Sequence, residues 1–517
     1  MRLIRHFCLL LCLTAGVRSA AGFALLGPFA SWMKAPLAYQ LPDAIGGPMT
    51  LGQGYRWNVP VITYGFDQSF LDYFGTNGVA SVESAIQILN DLPPASQINL
   101  SNYALDTRRI NFAAQSQSLQ DLKSSTLPVL LEQMGLAHPT ASVWCLRNFS
   151  FNPVEYTAEI RSYDPTTWEP LPWVNSTLYD YLVAARVGNN FYLYYDGSSN
   201  AMAGSGGTPY LPPGDAFALP YTADQTYANS AVADNAPGSQ LYNTGFPDGA
   251  YILGLTKDDV GGLRYQFSTN NIALENLIPG VRGAGANASN YITTALRPGL
   301  DKITFQRMDW ISSNQPVFAT ITNQYVDSYI TNGVVQQQTL ERVITQPDIL
   351  FTANYTGMNT ISRTGTTNWV NNGAPLNDGP GVIQPPIAIN FNRFGPSLVF
   401  EDPTYTPGNG LENFFPFWAT YDGTTNAPIV FPIPTAATNF TEFHFLLSTF
   451  TSGITPPPSS FTWNLVGQPN ALFSLQTSTN LSNWITYATI TNLGGTFTYS
   501  DFIAPGTPQR YFRTVPQ

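Results

Sequence analysis

The chain has 517 residues, too long for one ordinary core, and points to two to four domains. Its net charge is −11, with 22 Lys+Arg against 33 Asp+Glu, so it lacks the basic footprint of a nucleic-acid binder. Aromatic residues at 13%, charged residues at 11%, 42 Gly and 41 Pro exclude a disordered chain and describe a folded, β-rich, secreted type of protein.

The first 21 residues read as an export leader. Arg2 and Arg5 give a positive start, Phe7 to Val17 is an apolar run of eleven, and Ser19-Ala20-Ala21 supplies the small residues of a cleavage site. The run is shorter than the roughly 20 residues a membrane-spanning helix needs, so removal after Ala21 is expected. A lipoprotein reading of Leu9-Leu10-Leu11-Cys12 wants a small residue before the cysteine and finds Leu11. No later segment is apolar enough to span a membrane. Cys8 and Cys12 leave with the leader, and Cys145 remains in the apolar run SVWCLRNF, where a buried, inert thiol is expected.

Residues 22–54 are Gly- and Pro-rich and read as an irregular lead-in. A strand–helix unit follows. Ile62, Tyr64 and Phe66 alternate with Val61, Thr63 and Gly65, the period of a strand. After Gly75 the period changes, and Val79, Val82, Ile86 and Leu89 form one helical stripe. Asn77 can cap this helix and Pro93-Pro94 stops it, which predicts a helix over 77–91. A second helix is predicted over 125–134 from Leu127, Leu130, Leu131 and Met134, with Ser124 or Ser125 as cap and Pro128 in the first turn. Gly135 suits the left-handed residue that ends it. Strands are predicted from 141 to 195 and a long loop region over 196–249. A third helix is predicted near 256–266, where Thr256 and Asp259 make a capping box and Asp258 and Asp259 favour the N-terminal dipole.

Beyond 270 the pattern contains only strands and turns, to a stiff, polar Thr-Pro-Pro-Pro-Ser-Ser linker at 455–460. Five strand-sized runs then fill 461–517. The expected architecture is multidomain and β-rich. A leader (1–21) precedes a mixed α/β domain (22–270), a β-sandwich-like region (271–455) and a C-terminal β-module (461–517).

The last module carries a recognisable pattern. Phe473 to Trp484, FSLQTSTNLSNW, then Phe497 to Asp501 and Arg510-Tyr511-Phe512-Arg513, resemble the C-terminal β-module of exported proteins from Verrucomicrobia and related bacteria. The resemblance covers about 55 residues and implies export and surface association without naming a chemistry. Much of 25–400 also resembles exported proteins of the same bacteria.

A second resemblance concerns residues 55–92 and LTKDDVGGLRYQF at 255–267. They resemble the opening strand–helix and the closing helix of matrixin-type metzincin proteases. The family's catalytic helix reads His-Glu-x-x-His-x-x-Gly-x-x-His, two His and a base on one helix face and a third His after the Gly turn. The nearest stretch here is Pro128 to His138. Gly135 and His138 stand at the Gly and third His, while Pro128, Val129 and Glu132 replace the first His, the base and the second His. The chain has three His, and His6 lies in the leader, so His138 and His444 cannot complete a His triad. The resemblance thus implies a degenerate domain, with Glu132 and His138 as candidates for a weak metal site that wants a third acid. The plainer reading of 128–138 is a core helix with a Gly cap and a loop His.

Other chemistry finds little support. No Gly-x-Ser-x-Gly elbow exists for a Ser-His-Asp triad, and no Walker loop or Cys-x-x-Cys occurs. A carboxylate pair for glycoside hydrolysis leaves no motif, so Glu132, Asp164, Asp180 and Glu275 stay open as acids. Trp168, Trp173 and Trp369 are open as sugar-stacking residues or as packing. The expectation is a non-catalytic protein, secreted or at the outer surface. It would need no cofactor and would bind or scaffold an extracellular protein or polysaccharide. A divergent hydrolase is the alternative.

Overall fold

The computed structural model describes residues 22–40, 44–151, 154–187, 190–195, 199–205, 216–221, 232–235, 246–311, 317–354, 361–364, 369–372, 379–393, 399–400, 417–431, 460–466, 471–478, 483–492, 496–502 and 511–516. The chain is β-rich, with 41% strand and 23% helix, spread over many small sheets. A five-stranded sheet lies at its centre. Its strands are β1 (Val61–Phe66), β2 (Thr304–Arg307), β3 (Ile349–Thr352), β4 (Ile361–Thr364) and β5 (Ile387–Phe391), in the order β2-β1-β3-β5-β4. β1 runs parallel to β2 and β3, β3 parallel to β5, and β4 closes one edge antiparallel.

β1 is buried from Ile62 to Phe66, as befits an interior parallel strand covered on both faces. On one face Phe66 meets Phe70 at 4.9 Å and stacks on Phe351 at 5.4 Å. On the other, the Thr63 N–H and hydroxyl donate to Asp348 at 2.8 and 3.0 Å, and Arg342 donates to the same carboxylate.

Among the described residues three longer helices lie before residue 270: α1 (Gln68–Asn90), α2 (Leu122–Gln133) and α3 (Lys257–Phe267). Two of them start earlier than expected. Asp67, not Asn77, caps α1 by accepting from the Phe70 N–H at 2.9 Å. Gly75, at φ 57° and ψ −160°, is non-helical and kinks α1 into two segments: the second is the helix expected over 77–91, and the first, held in the core by Phe70, Tyr73 and Phe74, was not expected. Asp121, not Ser124 or Ser125, caps α2, so Pro128 falls in the helix interior. Every residue of α2 except Lys123 is buried, and this packing holds the helix across the hydrogen bond that Pro128 cannot make. α3 has the expected capping box: the Thr256 N–H donates to Asp259 at 2.9 Å.

The lead-in is not irregular. Phe23–Gly27 is a fully buried strand that pairs with Gly47–Met49, Leu136–Ala137 and Ser162–Tyr163. The region read as loop over 196–249 contains strands Ser199–Ser205 and Ala216–Tyr221. The expected boundary at 270 divides the part with α-helices from a part without them among the described residues, where only a short 3-10 turn at Gly285–Asn287 is helical, yet it does not divide sheets. β2 to β5 all come from beyond 270 and build on β1. Residues 417–431 return to the same core. Phe417–Thr420 runs parallel to Leu119–Asp121, and the buried Trp418 packs against Phe74 and Phe391, at 6.4 and 5.5 Å between ring centres. Phe431 meets Phe74 at 5.2 Å.

A hairpin of Ile321–Thr331 and Val334–Ile344 turns at Asn332-Gly333, both at positive φ, the usual two-residue hairpin geometry. Two buried arginines brace its sheet, Arg297 from within and Arg56 from the core. Arg297 holds both oxygens of Asp327, at 3.0 and 3.1 Å, and donates to the carbonyls of Glu275 and Ile292. Arg56 holds Glu275 at 2.6 Å and donates to the carbonyls of Gln266, Asn271 and Arg297.

The five strands expected at the C-terminus are present. Ser460–Val466 pairs with Thr496–Phe502 and Val399–Phe400, and Ala471–Ser478 lies between Ile485–Asn492 and Tyr511–Pro516. The residues of the module's pattern meet: Arg513 covers the Trp484 ring at 4.3 Å and donates to Gln476 at 2.7 Å. Among the described residues no helix is long and apolar enough to cross a membrane.

Candidate functional site

The segments that suggested a protease ancestry lie far apart in sequence and meet in space. The Gln266 side chain of α3 donates to the carbonyls of Tyr55 and Gly135, at 3.0 and 3.2 Å. The Trp57 indole N–H donates to the Gln133 carbonyl at 2.6 Å, and the Leu26 N–H to Gly135 at 2.8 Å. Gly135 takes the expected left-handed conformation, φ 89°. A Cβ there would lie 2.1 Å from the Tyr55 carbonyl oxygen, so the three segments can only close around a glycine. α2 packs on α1, and its end delivers Glu132 and, after the Gly turn, His138.

His138 Nε2 lies 3.3 Å from Glu132 Oε1, so the two candidate residues do point to one place. The third group there is not an acid. Arg363, from the edge strand β4, brings Nε to 3.1 Å from Glu132 Oε2 and Nη2 to 3.5 Å from Oε1. The Nε contact is an ion pair whose angle is not that of a hydrogen bond, so it is mainly electrostatic. Both side chains are almost fully buried, 1% exposed for Arg363 and 3% for Glu132. A buried carboxylate needs such a partner to stay charged.

Glu132 and His138 open on a cleft also lined by Leu26, Tyr39, Ile45 and Trp144, with a cavity volume of about 90 Å³. Small-molecule sites usually measure about 300–1,000 Å³, so this is a dimple in comparison. Glu132 is the one acid among the described residues that line it. A catalytic zinc takes three protein ligands and an open position. The set here is one carboxylate, one imidazole and a guanidinium whose charge opposes a cation. Among the described residues no group of three His, Cys, Asp or Glu is placed to hold a metal.

The remaining candidates do not join this cleft. Asp164 accepts from the Thr166 and Thr167 N–H groups and shapes a turn. Asp180 opens a strand, and Glu275 belongs to the Arg56 ion pair. Trp168 packs edge-on against Tyr265 at 5.4 Å, and Trp369 against Tyr55 at 5.4 Å. Trp173 is half-buried in a two-strand ribbon with Thr177–Leu178. His444 lies outside the described residues. Arg363 was missed, and no sequence signal marks it, since it stands 231 positions from Glu132 in an ordinary strand run.

Cys145 is 2% exposed and its Sγ contacts the Ser142 carbonyl. Burial pushes its thiol up to about 12. At pH 8 a thiol reagent should therefore label the folded protein on the order of a thousandfold more slowly than the denatured one. Equal labelling rates in the two states would show that this strand opens freely.

The chain matches no protein-family model, no curated protein and no solved structure.

Proposed function

We propose that this is a non-catalytic protein, exported and held at or near the cell surface, that binds or scaffolds an extracellular polymer, protein or polysaccharide. The observation that carries the reading is the Glu132–Arg363 ion pair. A hydrolytic site would need a free base or a metal at this place. Among the described residues the one cleft-lining carboxylate is neutralised by a buried guanidinium, and a metal would have to displace that charge. The 128–138 segment then serves as a structural remnant: its glycine and helix hold the core together and its chemistry is gone. The C-terminal module, with its export-type pattern, supports the location.

Metal analysis and an activity screen test this. The mature protein is expected to carry no more than trace zinc and to turn over neither protein nor polysaccharide substrates. Near-stoichiometric zinc that disappears in His138→Ala would overturn the reading. So would turnover abolished by Glu132→Gln, and that result would establish the hydrolase alternative.

A further inference from the structure

The helix α3 begins with two adjacent acids whose situations differ. Both oxygens of Asp259 are satisfied: Oδ1 accepts from the Ala233 N–H at 2.9 Å, and Oδ2 from the Val232 and Thr256 N–H groups at 3.0 and 2.9 Å. Asp258 is as deeply buried, 0% exposed, and is only half satisfied. Its Oδ2 accepts from the Asn175 N–H at 2.6 Å, and its Oδ1 has no hydrogen-bond partner among the described residues. The charged groups that act on it are acids, Asp259 and Asp234, and Tyr179 faces both Asp234 and Asp258. Burial and this acidic company push the Asp258 carboxyl well above the usual carboxylate range. A buried acid in this position wants a cation.

The backbone nitrogen of Gly22 lies against the same carboxyl. Gly22 is buried, and Phe23, next to it, is fixed in register with Tyr163. A Cβ on residue 22 would lie 2.2 Å from the Trp173 carbonyl oxygen and 2.4 Å from Ser162 Oγ. Ser162 Oγ is a second buried oxygen without a hydrogen-bond partner among the described residues. Residue 22 must therefore be a glycine, and two orphaned oxygens flank it.

We propose that the α-amino group of Gly22, freed by cleavage after Ala21, forms a buried ion pair with Asp258. This rests on the export reading. Hydrolysis of the Ala21–Gly22 peptide bond by a leader peptidase consumes one water and leaves a carboxylate on Ala21 and an amine on Gly22. The amine is protonated at neutral pH, since an α-amino group titrates near 8. As an ammonium it has three donors where the peptide had one, and it brings the cation the acids lack. Maturation thus completes the anchor that ties the first strand to α3 and, through Gln266, to the Gly135 turn.

The start of the chain is read first by N-terminal sequencing: an uncleaved start at Met1 removes the export reading, and a cleaved start other than Gly22 overturns the proposal alone. The contact itself is tested on protein prepared with a defined start. Chains beginning at Gly22, with a free or an acetylated amine, are compared with and without Asp258→Asn by thermal melting at pH 7. Acetylation should lower the melting temperature by several degrees in the parent chain, and by little in Asp258→Asn. Equal losses in both backgrounds, or none, would overturn the proposal. Reductive methylation gives a readout that needs no variant. In the native chain the Gly22 amine should react at least tenfold more slowly than the exposed Lys34 amine. Modification of Gly22 at the lysine rate would overturn the proposal as well.

Discussion

Replacing Arg297 by alanine should destabilise the protein by about 3–5 kcal/mol, the range found when one partner of a buried ion pair is removed. Arg297 is 2% exposed and Asp327 is 3% exposed, so the orphaned carboxylate could not reach water. Gln338, which donates to Asp327 at 2.7 Å, would remain as a neutral partner and cannot replace the lost charge. Arg56 donates to the backbone carbonyl of residue 297, which alanine keeps, so the link from Arg56 to this sheet should survive and the loss should stay with the Asp327 pair. Chemical denaturation followed by tryptophan fluorescence checks this. The double variant Arg297→Met with Asp327→Leu should recover most of the loss, because an apolar pair of similar volume leaves no buried charge behind. A single variant that melts like the parent would mean that water already reaches this pair.

The second large effect is expected at Gly135. Gly135→Ala should cost about 2–6 kcal/mol, from about 1–3 of backbone strain and about 1–3 of overpacking. Its φ is 89°, and the new methyl would meet the Tyr55 carbonyl oxygen at 2.1 Å and Gln266 Nε2 at 2.7 Å. Gly75 is the internal comparison. Its φ is 57°, and a methyl group there would find nothing within 4 Å, so Gly75→Ala should cost the strain alone. The difference between the two variants, read from their denaturation midpoints, isolates the close packing of the three segments. Equal losses would show that this junction yields to a methyl group without resistance.

The local signals in the sequence carried local structure. Thr256 and Asp259 announced α3, Gly135 announced the end of α2, and the alternation at 61–66 announced β1. The errors came where one local rule was outweighed by burial. Pro128 suggests a helix start, yet capping by Asp121 and burial carry α2 through it; at Gly75 the chain does kink, and what was missed is the buried segment before it, capped by Asp67. Pairing across the sheet was not legible. Strands such as ITFQ, ILFT and IAIN look alike, and nothing in their patterns says that they assemble on β1 rather than into a sandwich of their own. At the site, Glu132 and His138 were readable because a six-residue separation places them across a helix end and a turn. Arg363 was not, because an ion pair between distant segments depends on the tertiary fold alone.

The return of residues 417–431 to the first core bears on how the chain matures in time. Among the described residues Trp418 and Phe431 are the last wedges in an aromatic cluster that starts with Phe66, Phe70 and Phe74, from the first hundred residues of the sequence, and takes in Phe351 and Phe391 on the way. Long-range pairing of this kind slows folding, because chain closure must be completed before its contacts stabilise anything. A chain threaded through a narrow channel from its N-terminus would hold this core unfinished until residue 431 had passed. Delay of that sort keeps a polypeptide slack enough to be threaded, and it leaves the early aromatic surface for a holding chaperone to cover in the meantime.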